Sequence, residues 1–383
     1  MEQIRHLLVT REIYRCLTGI HRGCASTPLV ISLSCLYNEP MVKKIETTEV
    51  EVYRRLSLSE GAKAYAQLRA QVTKAGLLKR SYGYYLFITL FAVTGLFFSL
   101  YQFATQTNIF ALIIWGVLIV LFTVQCGGII HDAGHRAVFA SNRANDILGQ
   151  LAAWLVAFRY TTWKFLHNAH HAHPNQEGDP DIGAPWIFTK DRAKASAGGI
   201  QGFFKKYQMW LYYPLGSFGV VFTRFGSLNQ NFKNLNTARA IELAGFLMGV
   251  GLWYILPLAV FPLWKALLFL ILTNNLGSLY LTNIFAPNHK GMLQLGRGVK
   301  FSFLEQQVVT ARNIYGHWLT DLVYLGLNYQ IEHHLFPDCP RNKLRFLTPF
   351  VVALCRKYRL PYTQVTIIES NRHILAELKE QSK

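Results

Sequence analysis

Four stretches of this chain, residues 84–104, 109–130, 241–260 and 263–286, are apolar for about twenty positions each, with at most one charged side chain apiece. A hydrocarbon layer roughly 30 Å thick takes about 20 residues of helix, so each stretch predicts a membrane-spanning helix. The tips between paired stretches are only a few residues long, which predicts two helical hairpins. Two shorter apolar pieces, residues 147–158 and 207–225, are expected as helices on or partly in the interface. For the second, a fifth or broken span stays open. Residues 41–80 form a cytoplasmic lead-in, amphipathic and helical over 46–79, that ends on Lys79 and Arg80.

Composition agrees with this pattern. Of 383 residues, 51% are hydrophobic and only 16% charged, too apolar for a soluble chain of this length. The formal charge of +18 is dispersed over the segments that flank the spans, which fits a membrane surface rather than nucleic acid. Neither the tip at 102–108 nor that at 261–264 carries Lys or Arg; Lys265 lies just beyond. The positive-inside rule therefore keeps both termini, residues 131–240 and residues 287–383 on the cytoplasmic side. Residues 81–383 make up the membrane domain. Residues 1–40 hold four arginines, three cysteines and a short apolar run at 29–36, which leaves open a weak transit peptide or a true start at Met41. The six cysteines form no CxxC pair and receive no role.

The candidate chemistry lies in the histidines. Eight of thirteen fall in four tight groups beside the apolar stretches: His131 and His135 in HDAGH, His167, His170 and His171 in HNAHH, His289 in PNHK, and His333 with His334 in QIEHH. Residues four apart share a helix face, so each group can aim at one point. His131 directly follows the second stretch and His289 the fourth, so all four groups meet at one membrane surface. Eight imidazoles exceed the needs of one tetrahedral zinc, and two metal ions fit the count. Nitrogen-rich shells with room for oxygen suit iron, and apolar surroundings imply an apolar substrate. Asp132, Asp179, Asp181 and Glu332 stand beside the groups as candidate acceptors for the rings' second N–H. His173 and His317 are expected to be solvated or to support the site from outside, and His6, His21 and His373 to be solvated. Trp163, Asn274 and Asn275 are candidates for a substrate tunnel, against an aromatic belt for the first and helix-to-helix contacts for the other two.

HDAGH, HNAHH and LNYQIEHHLFP, in that order, resemble the three histidine boxes of the integral-membrane fatty acid desaturases. Gln330 in the third box and NQEGDPDI after the second are similar to the front-end type, which adds a double bond between an existing one and the carboxyl end. The resemblance covers roughly residues 80–360. It implies an all-α integral membrane enzyme with four spans and a cytoplasmic helical cap around a di-iron site. By it, His131, His135, His167, His170, His171, His333 and His334 are iron ligands, His289 matches an additional ligand, and Gln330 ligates or holds a water. It further implies O2 as co-substrate and an acyl chain on a lipid or coenzyme A as substrate. Many front-end members carry a fused cytochrome b5 domain with an HPGG motif. This chain contains no HPGG, so electrons are expected from a separate ferredoxin or cytochrome b5. The rival readings are a histidine-box hydroxylase or ketolase, a sphingolipid desaturase, and a metal-binding membrane transporter. The expected location is the plasma membrane of a bacterium or the endoplasmic reticulum of a eukaryote.

Overall fold

A capping box opens the first helix, α1 (Leu58–Lys74): Ser57 Oγ accepts the Glu60 N–H, and Glu60 accepts that of Ser57. Gly61, Ala64, Leu68 and Val72, spaced three and four apart, are its buried face. The computed structural model describes residues 55–181, 199–225 and 237–382, together with Tyr53 and Ile187. The expectations for residues 1–40 lie outside them, as does the first part of the lead-in helix. That helix stops before Lys79, at Gly76, whose φ of +72° ends it.

The apolar stretches are four long helices. α2 (Tyr82–Thr105) and α3 (Ile109–Gly134) form the first hairpin, with Asn108 Oδ1 accepting the first N–H groups of α3. They pack so closely that a Cβ on Gly95 would lie 2.3 Å from the Phe122 ring. The second hairpin is broken in an informative way. α8 (Thr237–Val250) continues through a π-helical turn, Gly251–Ile255, into α9 (Leu256–Val260). α10 (Leu263–Leu270) continues through a second π turn, Ile271–Leu276, into α11 (Gly277–His289). All four, over Tyr82–Thr105, Ile109–Gly134, Arg239–Val260 and Leu263–His289, are long and apolar enough to cross a membrane. Lys265, the lone cation at the tips, is buried: its Nζ donates to Ala104 O and Gln106 O at 2.8 Å each, at the C-terminal end of α2.

Between the hairpins, α4 (Asn142–Leu155) runs along α3, and α5 (Tyr160–Ala172) returns. Trp253 Nε1 donates to Leu155 O at 2.8 Å, which ties the end of α4 to the third long helix. The piece expected over 207–225 is two helices, α6 (Gly199–Gly216) and α7 (Gly219–Phe225), rather than one span. Arg224 of α7 joins four elements: Nη1 donates to Tyr254 Oη (2.9 Å) and Asn274 Oδ1 (3.2 Å), and Nη2 to Val156 O (2.9 Å).

The remaining elements form a cap. They are α12 (Phe303–Val309), a two-residue parallel pair of β1 (Asn313–Ile314) with β2 (Gln364–Val365), α13 (Trp318–Val323), α14 (Gln330–Leu335), α15 (Leu344–Tyr358) and α16 (Ile367–Gln381). Leu304, Val308, Ile331, Leu335, Phe336, Leu347 and Val351 close with the buried face of α1 into one apolar core. That core fixes α12 and α14 over the ends of α3 and α11. Among the described residues the all-helical expectation holds apart from this strand pair and an isolated bridge between Gln176 and Leu295.

Candidate metal centre

His131 lies on the last turn of α3, and His135 ends that helix four residues on, so their rings come within 4.7 Å. His167, His170 and His171 share α5, His289 is the last residue of α11, and His333 and His334 follow Gln330 on α14. The C-terminal ends of the second and fourth long helices therefore meet, and all eight predicted imidazoles gather in two groups. His131, His135, His167, His171 and His333 form one, and His170, His289 and His334 the other. Within each, the candidate ligand atoms lie within 4.8 Å of one another.

The inner nitrogens crowd one another. His171 Nε2 lies 3.2 Å from both His167 Nε2 and His333 Nε2, and His289 Nε2 lies 3.1 Å from His334 Nε2. Gln330 belongs to the second group, with Nε2 3.0 Å from His289 Nε2 and Oε1 accepting Asn288 Nδ2–H at 2.9 Å.

Five of the outer nitrogens are committed elsewhere, while His171 Nδ1 is buried without a partner. His131 Nδ1 meets Asp132 Oδ1 (3.1 Å), His167 Nδ1 meets Asp181 Oδ2 (3.3 Å), and His170 Nδ1 meets both Asp179 oxygens (2.8 and 3.0 Å). A carboxylate only accepts, so these rings carry the proton on Nδ1. His289 Nδ1 donates to Thr310 O at 3.0 Å, and His334 Nδ1 to Gln307 Oε1 at 2.8 Å. Five Nε2 lone pairs consequently point inward. His131 Nε2 and His135 Nε2 are buried without a partner. Burial, then neighbouring rings, hold His135, His171, His333 and His334 well below the usual imidazole range, and burial takes His167 down to about 4. Burial opposes protonation of His170 too, but Asp179 outweighs it and raises that ring. Neutral imidazoles aimed at a common centre, with orphaned buried nitrogens among them, are a donor set that fits transition-metal ions.

Three of the four carboxylates thus reach a ring. Glu332 does not. One residue before His333, it is turned off the ligand face by the helix, and its carboxylate accepts Asn313 Nδ2–H and Tyr362 Oη–H at 2.7 Å each. Asn313 Oδ1 in turn accepts the Ile331 N–H at 2.9 Å. Glu332 therefore locks α14 against the strand pair, and burial raises its carboxyl pKa.

Thr310 and Gln307 are not legible from the boxes, because these acceptors come from α12 and its end, which lie apart from every box in sequence. In the fold Gln307 is fully buried beside Glu305 and Gln306, and a buried polar side chain needs a partner. His317 caps α13.

A cavity of about 470 Å³ opens from the histidines. Its walls include Val120, Val124, Gly127 and Ile130 of α3 and Gly277, Leu281 and Phe285 of α11, and its polar end is His131, His167, His170, His289 and His333. Trp163 is in the wall, stacked on the His167 ring at 4.7 Å. Asn274 and Asn275 are not. Asn274 binds Arg224 and Tyr254, and Asn275 lies 3.4 Å from Ser217 Oγ, so both serve contacts between helices.

A family profile described as fatty acid desaturase matches residues 107–366. An acyl-lipid (9-3)-desaturase of Borago officinalis is 29% identical over 340 residues, 84% of this chain and 75% of its own length. A delta(8)-fatty-acid desaturase of Arabidopsis thaliana is 30% identical over 349 residues, 85% and 76% of the two chains. A delta 8-(E)-sphingolipid desaturase of Emericella nidulans is 26% identical over 353 residues, 83% of this chain and 62% of that one.

Proposed function

Because this chain belongs to the fatty acid desaturase family, we propose that its histidine cluster holds two iron ions and that it acts as a front-end enzyme on a lipid-linked or coenzyme A-linked acyl chain. The observation that supports this most is the division of the eight rings into two groups with lone pairs facing inward. His131, His135, His167, His171 and His333 would hold one ion, and His170, His289 and His334, with Gln330 beside them, the other. When bound, such a pair would supply the four-electron reduction of O2 to two waters, with two electrons from an electron-transfer protein, two protons from water, and two hydrogens with their electrons from adjacent methylenes.

The chain's own residues do the rest. Asp132, Asp179, Asp181, Thr310 and Gln307 keep the rings in one tautomer and one orientation. The apolar walls of α3 and α11 receive the acyl chain and exclude water, and Trp163 limits how it passes the His167 end. Gly134 leaves room for that indole, since a Cβ there would lie 2.8 Å from it. Dispersed basic residues favour a cytoplasmic location for the cap.

Expression in a host without polyunsaturated lipids, with defined acyl chains supplied, tests the reading. A product two hydrogens lighter, with its new cis bond on the carboxyl side of the existing one, is expected. A product heavier by one oxygen would point to a hydroxylase instead. Because one relative is named a sphingolipid desaturase, the sphingolipid fraction is read in the same experiment. A new bond confined to it would overturn the acyl-chain assignment.

A further inference from the structure

Beside the first group, Asp132 forms a buried ion pair with Arg341, a residue to which the proposed chemistry gives no part. Asp132 turns Oδ1 to His131, while its Oδ2 accepts from Arg341 Nε at 2.5 Å and from Tyr85 Oη at 3.0 Å. The Tyr85 oxygen also accepts the Arg341 backbone N–H at 3.3 Å. The three residues come from the first long helix, the end of the second and the segment after the third box. Each is 5% exposed or less. The guanidinium lies over Gly128 of α3, where a Cβ would sit 2.5 Å from Nη1. The helix that carries His131 therefore has, at Gly128, a gap that the Arg341 guanidinium occupies.

From this geometry we infer that Arg341 is a positioning residue of the metal centre, acting through Asp132 on His131. The inference rests on the metal reading above. His131 is held from outside by one bond, to Asp132 Oδ1, and its Nε2 is among the orphaned inner nitrogens. A carboxylate held by that bond alone turns about its side-chain torsions, and the ring turns with it. Arg341 and Tyr85 fix the other oxygen from two directions, so Oδ1 has one place to be and His131 one orientation. An arginine is needed for this because Nε is directed at Asp132 while the planar group beyond it fills the space over Gly128.

The test compares the full-length chain, purified in detergent and loaded anaerobically with ferrous iron, with Arg341→Lys, Arg341→Met and Tyr85→Phe. Bound iron per folded chain and the ferrous Mössbauer spectrum are read, with circular dichroism and gel filtration defining the folded fraction. In the arginine variants one of two irons should bind roughly 10–100-fold more weakly, with its signal broadened and the other unchanged. Tyr85→Phe should show a smaller effect of the same kind. Arg341→Lys that folds, retains two irons and gives the unaltered spectrum overturns the inference, and so does failure of both arginine variants to fold, which would make the pair a strut between helices. If only Arg341→Met fails to fold, Arg341→Lys decides. An unsubstituted protein that binds no iron overturns the metal reading instead.

Discussion

Where a histidine's outer nitrogen has an acceptor, that acceptor decides what the inner nitrogen can do, and single substitutions separate the parts. His170→Ala removes one of three rings in the second group and should abolish product while leaving membrane insertion intact; turnover that survives in membranes contradicts a ligand role. Asp179→Asn weakens the acceptor of His170 and opposes the pull that raises that ring. Activity should fall about 10–100-fold, read as product formed per folded enzyme. Glu332 gives the contrast, since it braces α14 and touches no ring. Glu332→Gln should lower stability by about 1–3 kcal/mol in detergent unfolding, with turnover per folded molecule kept. The boxes were legible in sequence because helical spacing alone puts their rings on one face. Glu332 was misjudged for the complementary reason: adjacency along the chain says nothing about which side of a six-residue helix a carboxylate faces.

Among the elements, the four long helices were legible from hydropathy because crossing lipid constrains composition more than partners. The cap was not. α12 and α14 have seven and six residues, and what fixes them is burial against α1, more than two hundred positions away. Lys265 shows the same limit: in sequence it is a stray cation near a tip, and in the fold it satisfies the last carbonyls of the opposite hairpin. Lys265→Met should cost about 1.5–3 kcal/mol, measured as a lower unfolding midpoint, because the two carbonyls lose a charged donor. An unchanged midpoint would leave the lysine without a structural role.

For the whole molecule, the meeting of all four histidine groups at one end followed from alternating charge along the chain, and α3 and α11 do end together. The division into five rings and three was not legible, since it depends on ring orientations set by Thr310, Gln307 and the three aspartates. Treatment with a chelator should abolish activity and lower the unfolding midpoint; ferrous iron should restore both, and zinc the midpoint alone. The second π turn carries a consequence for how the fourth span is wound. One π turn is one residue more than a straight α-helix needs, and it advances everything after it by about 100° about the axis. The phase in which His289 meets His334 is therefore set in part by a surplus residue some fifteen positions upstream. Deletion of Asn275 would keep the span's length and greasiness yet swing His289 out of phase with His170 and His334, and the enzyme should then keep one iron and lose the other.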